Sequence, residues 1–209
     1  MMAVMLIAHR GDPRHAPENT LASFRQAAAR GAGAVEMDLR RARGGAWVVF
    51  HDPLPKTPSA QILPLSQALA FCRARRLEAY LDVKDPRDEE SLLRQIRASG
   101  WLKHTTVLAG RTASLRRWRQ ILPDHPLFRV TGFRTAVTPR AVAQASRLGL
   151  TGFVSYKRWV TKPAVERVHR AGLKIFVWTV RTAAELKRFA RLGVDGIMSE
   201  LWPPPPRST

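Results

Sequence analysis

Short, unbroken apolar runs recur along this chain, each followed by a stretch whose apolar residues fall three and four positions apart. Runs of the first kind mark strands buried on both faces, and the second spacing marks helices with one face on a core. Residues 4–8 are the first run, ended by His9-Arg10-Gly11 and broken at Asp12-Pro13. Leu21, Phe24, Ala27 and Ala28 then recur at helical spacing up to Gly31. Residues 34–39 are the next strand, and 46–50 follow a Gly44-Gly45 turn as a hairpin extension. Four prolines make 53–64 a loop.

Beyond that loop the alternation is regular. Strands are predicted at 78–83, 105–108, 127–130, 152–155, 174–180 and 194–199, and helices at 65–75, 89–99, 112–122, 161–171 and 182–192. Thr138 caps a further helix that has Pro139 at its first position and ends at Gly149. Roughly eight strand units and seven helices with short connections imply parallel strands joined by right-handed crossovers, and eight units favour a closed (β/α)8 TIM-type barrel. An open doubly wound sheet is the alternative. The barrel is expected to be one domain over residues 1–202, with a hairpin extension on its second strand and no helix after its last. Residues 203–209 form a proline-rich tail, polyproline over 203–206.

Composition adds charge to this picture. Thirty-five Lys and Arg against 16 Asp and Glu give a net charge of +19, which attracts anionic substrates and surfaces. No helix-turn-helix, zinc-finger or RNA-recognition signature accompanies it, so nucleic acid is not the expected partner. Peripheral contact with an anionic membrane is the second expectation. The lone Cys72 rules out an intrachain disulfide and reads as a small buried hydrophobe. No apolar run reaches the roughly 18–20 residues a spanning helix needs, and the N-terminus lacks the features of a signal peptide. A cytoplasmic protein is expected.

The chemistry gathers at strand ends, where a barrel of this type builds its active site. His9 and Arg10 end the first strand. Glu36 and Asp38 are two apart on the second, so both point to one face. Such carboxylates repel unless a cation lies between them, and oxygen-only ligands favour Mg2+ or Ca2+. Asp82, on a neighbouring strand, offers a third oxygen. An ordinary solvated pair beside Arg40 and Arg41 is the bland alternative for Glu36 and Asp38. His9 and His51 titrate near neutrality, so one can take a proton while the other gives one. Arg10 and Lys84 can neutralise phosphate oxygens. Together these groups match what phosphodiester cleavage requires.

Residues 4–200 carry, in order, His9-Arg10-Gly11, Pro17-Glu18-Asn19-Thr20, Glu36-x-Asp38, His51-Asp52, Asp82-x-Lys84, Val177-Trp178-Thr179-Val180 and Gly193-Val194-Asp195-Gly196-Ile197. This combination resembles the glycerophosphodiester phosphodiesterase family. The resemblance implies a TIM-type barrel that hydrolyses glycerophosphodiesters to sn-glycerol 3-phosphate and an alcohol. Under it, His9 and His51 match the catalytic pair, Arg10 and Lys84 the phosphate contacts, and Trp178 a pocket wall. Glu36, Asp38 and Asp82 match ligands for one divalent metal ion, and Glu18 and Asn19 match residues that shape the site. Four departures stand out. Asp82 replaces the usual Glu, as in the related sphingomyelinase-D-like enzymes. Arg181 stands where Asn is usual, and Glu200 where Asp is. The insertion after His51-Asp52 shrinks to residues 53–64.

The expected function is metal-dependent hydrolysis of small glycerophosphodiesters, with His9 as base and His51 as acid. One alternative is lysophospholipase D-like cleavage of lipid phosphodiesters at anionic membranes. Another, of a different class, is a non-catalytic barrel that binds phosphorylated ligands or nucleic acid.

Overall fold

The computed structural model describes residues 4–54, 62–86 and 88–202. Its elements run β1 (Met5–His9), α1 (Leu21–Ala29), β2 (Ala34–Arg41), β3 (Trp47–Val49), β4 (Leu63–Pro64), α2 (Leu65–Arg75), β5 (Glu78–Val83) and α3 (Glu89–Ala98). Then come β6 (Thr105–Ala109), α4 (Thr112–Ile121), β7 (Leu127–Thr131), α5 (Pro139–Arg147), β8 (Gly152–Tyr156), α6 (Lys162–Arg170), β9 (Lys174–Val180), α7 (Ala183–Leu192) and β10 (Gly196–Ser199). β1 pairs in parallel with both β2 and β10, and this closes the ring β1-β2-β5-β6-β7-β8-β9-β10. The expected eight-stranded barrel is therefore the observed one, and the open sheet is excluded. β3 lies antiparallel on the far end of β2 as the hairpin extension.

Two details depart from the sequence reading. The last two residues of the predicted loop 53–64 pair with β3 as β4, because Leu63 is apolar and buries against Val49. Most of that loop, 55–61, and the tail 203–209 lie outside the described residues. Single 3-10 turns at Leu102–His104 and Lys157–Trp159 were too short to leave a periodic signal. No helix follows β10 among the described residues; Trp202 instead joins the outer core.

Local chemistry explains the helix starts. Thr20, Asp88, Thr138 and Thr182 each accept the backbone N–H three residues on, which stabilises a helix by about 1 kcal/mol. Between strands and helices lies the main core, with Phe24, Trp47, Trp118, Phe153 and Phe189 almost fully buried. Gly152 starts β8 because a Cβ there would meet the carbonyl oxygen of Lys174 at 2.0 Å.

The barrel interior is a separate, smaller core. Each of the eight ring strands contributes one residue to it: Ile7, Ala34, Tyr80, Leu108, Phe128, Val154, Phe176 and Met198. This layer plugs the barrel. Side chains alternate across a strand, so the next inward positions are two residues on. They are His9, Glu36, Asp82, Gly110, Val130, Tyr156, Trp178 and Glu200. All but Gly110 line one pocket at the C-terminal end of the barrel.

Candidate active site

The pocket encloses a cavity of about 290 Å³. Its charged half sits on β1, β2 and β5. His9 is paired in register with Glu36 across β1 and β2, and Asp38 with Asp82 across β2 and β5. Glu36, Asp38 and Asp82 are only 2%, 1% and 8% exposed, which excludes the solvated pair beside Arg40 and Arg41. Those arginines turn away, to Asp85 and Asp88. One oxygen from each of the three carboxylates lies within 4.8 Å of the others. A hard divalent cation fits such an all-oxygen set.

The carboxylates respond to burial unequally. Burial, with Asp38 and Asp82 nearby, pushes Glu36 well above the usual carboxylate range. Asp82 is also raised by burial, although Lys84 opposes this. For Asp38, burial is outweighed by Lys84 and Arg10, and its pKa falls. Lys84 Nζ lies 2.9 Å from Asp38 and 2.5 Å from Asp82. Desolvation works against its charge, but those two anions hold its pKa above the ordinary lysine value.

Arg10 is turned toward carboxylates. Its backbone N–H donates to Glu36 (3.1 Å), its Nε lies 2.9 Å from Asp38, and Nη1 donates to Glu18 (2.8 Å). Arg10 holds a left-handed backbone (φ 57°), as does Asn19 (φ 58°). Strained conformations of this kind persist only where surrounding contacts over-determine them. Here Asn19 Nδ2 donates to the Asp38 carboxylate, and its Oδ1 accepts the Asp38 N–H. The Asn19 N–H and the Ser23 hydroxyl both donate to the Arg10 carbonyl. Pro17-Glu18-Asn19-Thr20 is thus the brace that aims Asp38 and ties the start of α1 to the end of β1. Gly11 completes it at φ +86°, where a Cβ would meet Ser23 Oγ at 2.2 Å.

The two histidines differ. His9 is buried, with Nδ1 3.4 Å from Glu200 and Nε2 3.9 Å from Glu36. Burial lowers its pKa, despite the contact with Glu200, and favours the neutral imidazole. His51 is more open, with Nδ1 2.8 Å from Asp52, and its carbonyl accepts two hydrogen bonds from Arg40. Both line the pocket. The remaining described histidines serve structure: His15 pairs with Asp12, His104 with Glu78 and His169 with Asp195, and His125 contacts Thr105.

Sequence reasoning left three features out of the site. Glu200 faces His9 and is gripped by Arg181 at 2.7 and 2.8 Å. Opposite the charged groups, Phe133 and Tyr156 pack on one another and on Trp178, which the sequence reading had already named, with ring centroids 4.5–5.4 Å apart. Val130 lines the same pocket. The two-residue step from the apolar layer would have located Val130, Tyr156 and Glu200; Phe133, in a loop, left no such signal.

Residues 9–57 and 88–200 match the model of the glycerophosphoryl diester phosphodiesterase family. The chain belongs to this family. It is 24% identical to a glycerophosphodiester phosphodiesterase of Caldanaerobacter subterraneus, over 95% of both chains. A 49-residue stretch is 55% identical to glycerophosphodiester phosphodiesterase 1 of Bos taurus, covering 23% of this chain and 15% of that protein. Among solved structures, an Oleispira antarctica phosphodiesterase in complex with the product sn-glycerol-3-phosphate has a TM-score of 0.83 at 21% identity, over 94% of this chain and 92% of that one. A glycerophosphodiester phosphodiesterase from Parabacteroides distasonis has a TM-score of 0.82 at 18% identity, covering 95% and 93%. The family model does not match residues 58–87, which hold the later part of the short connection, 58–64, and both Asp82 and Lys84. In this member of the family, Asp82 nonetheless stands among the three clustered carboxylates, and Arg181 forms an ion pair with Glu200.

Proposed function

We propose that the protein hydrolyses glycerophosphodiesters to sn-glycerol 3-phosphate and an alcohol, using one divalent ion, Mg2+ or Ca2+, held by Glu36, Asp38 and Asp82. The observation that carries this reading is the buried carboxylate cluster beside the buried His9 at the mouth of a barrel of this family. Three carboxylates against Arg10 and Lys84 leave a formal charge of about −1, which a divalent ion turns positive and a phosphodiester anion then neutralises. When bound, the ion polarises the phosphoryl oxygen and stabilises the charge that builds there.

The chain's own groups do the rest. His9 accepts the proton of the attacking hydroxyl: water gives glycerol 3-phosphate directly, whereas the substrate's glycerol 2-hydroxyl expels the alcohol to leave a cyclic phosphate that a water molecule then opens; burial, which lowers the His9 pKa, favours the unprotonated base this needs. His51 gives a proton to the departing alkoxide, with Asp52 at its other ring nitrogen fixing the tautomer. Lys84 and Arg10 offset charge on the phosphoryl oxygens as bonds rearrange. Glu18 and Asn19 hold Arg10 and Asp38 in place, and Trp178 walls the pocket.

A panel of soluble glycerophosphodiesters, assayed with Mg2+, Ca2+ and excess chelator, tests the reading. Release of glycerol 3-phosphate is expected with an ion present, and Glu36→Gln and Asp82→Asn should each lose about 100-fold or more. Turnover that survives chelation overturns the metal role; no turnover of any diester overturns the function.

A further inference from the structure

The rim beside the aromatic half of the pocket is both apolar and basic. Phe133 sits in the Gly132–Thr135 turn, and its carbonyl accepts from Trp159 Nε1. Phe133 is 63% exposed. Among the described residues the other large exposed apolar side chain, Met5, lies at the opposite end of the barrel strands. Arg134, next in the chain, borders two surface hollows. One also holds Arg140; the other holds Arg158 and Arg188. No ion pair engages these four arginines among the described residues. The nearby carboxylates are already committed: Glu185 to Lys157, and Glu200 to Arg181. The three rings pack on one another, and Phe133 is the one that presents an exposed apolar edge outward. Arg158 lies over the Trp159 ring and Arg188 over the Phe189 ring, contacts that leave their charge unneutralised, and an apolar wedge amid such cations is the composition that binds a negatively charged lipid surface.

We propose that this rim docks on an anionic bilayer, with Phe133 entering the headgroup layer and Arg134, Arg140 and Arg158 against anionic headgroups. The pocket then opens onto the membrane, and phosphodiesters of single-chain lipids become substrates. That last consequence rests on the phosphodiesterase reading; the docking itself does not.

Sedimentation of the intact chain with vesicles of phosphatidylcholine, alone or with about one-third phosphatidylglycerol, tests the proposal. Binding is expected on the anionic vesicles only, and should fall as salt rises. Arg134→Glu with Arg158→Glu should weaken it by about fivefold or more for each side chain changed. Phe133→Ser should weaken it at every salt concentration. Arg94→Glu with Arg116→Glu, exposed on α3 and α4, is the charge-matched control and should change binding little. Equal losses from rim and control pairs would overturn the proposal, since net charge alone would then account for binding. So would failure to bind anionic vesicles at low salt, or capture of an RNA oligonucleotide in preference to them. Turnover of soluble glycerophosphocholine is measured alongside and should be unaffected by Arg134→Glu. Failure of the unsubstituted chain to bind anionic vesicles, with that turnover intact, strikes the docking alone; vesicle binding without any turnover strikes the phosphodiesterase reading alone.

Discussion

Lys84 Nζ lies 2.5 Å from the Asp82 carboxylate, and the same ammonium reaches Asp38 on the adjacent strand at 2.9 Å. Lys84→Met would leave two buried anions without their shared cation. Removing one partner of a buried pair costs 3–5 kcal/mol, and with Lys84 a quarter exposed about 2 kcal/mol is the expected loss. Thermal unfolding should show a Tm lowered by about 4–8 °C. Added Mg2+ should return part of it, because the ion restores positive charge at the same carboxylates. A Tm unchanged by the substitution would contradict this account.

The two imidazoles should be separable by leaving group. His9→Ala and His51→Ala are each expected to lower kcat by about 100- to 10,000-fold on an alkyl diester. A nitrophenyl leaving group departs without a proton. On such a substrate the His51 variant should recover most of its activity and the His9 variant should not. Equal recovery by both would reverse or void the assignment.

Glu200 links pH to stability. Burial opposes its charge, but His9 and Arg181 bring its pKa down to about 2, below the ordinary carboxylate value of 4.5. A group depressed on folding stabilises fully above its unfolded pKa and loses that contribution as pH falls through the folded one. The contribution should therefore be complete above pH 4.5 and gone near pH 2. Arg181 is half exposed, so Arg181→Ala should cost only about 1 kcal/mol at pH 7. In a pH series of unfolding curves, the gap between wild type and variant should close as pH approaches 2. A gap constant across that window would rule the linkage out.

Gly11→Ala tests the brace behind Arg10. The new Cβ meets Ser23 Oγ at 2.2 Å and its backbone carbon at 2.7 Å, at a φ that disfavours any side chain. Relief requires the start of α1 to move, at a cost of about 1–3 kcal/mol. Activity should fall by more than the loss of folded protein explains, since Arg10 and Asn19 share that loop. Activity per folded molecule equal to wild type would show that the brace does not aim the site.

The sequence announced most of this architecture because strands buried on both faces leave unbroken apolar runs, and helix ends carry their own punctuation at Thr138-Pro139, Gly31 and Gly193. β4 was hidden, since two residues carry no period. The convergence of Glu36, Asp38 and Asp82 was readable from strand alternation plus one adjacency. Glu200 was visible as a departure from the family pattern, but nothing in linear order ties it to His9, 191 positions away. Phe133 was illegible for a different reason: it belongs to a turn, and its place beside Trp178 is decided by tertiary packing alone.

Ionisable chemistry is confined largely to three consecutive staves of the barrel, β1, β2 and β5, while the wall facing it is supplied by the ends of β7, β8 and β9. The two halves meet across empty space and share few covalent neighbours. The far wall at Val130, Phe133 and Tyr156 can therefore change shape while the acid-bearing staves stay as they are.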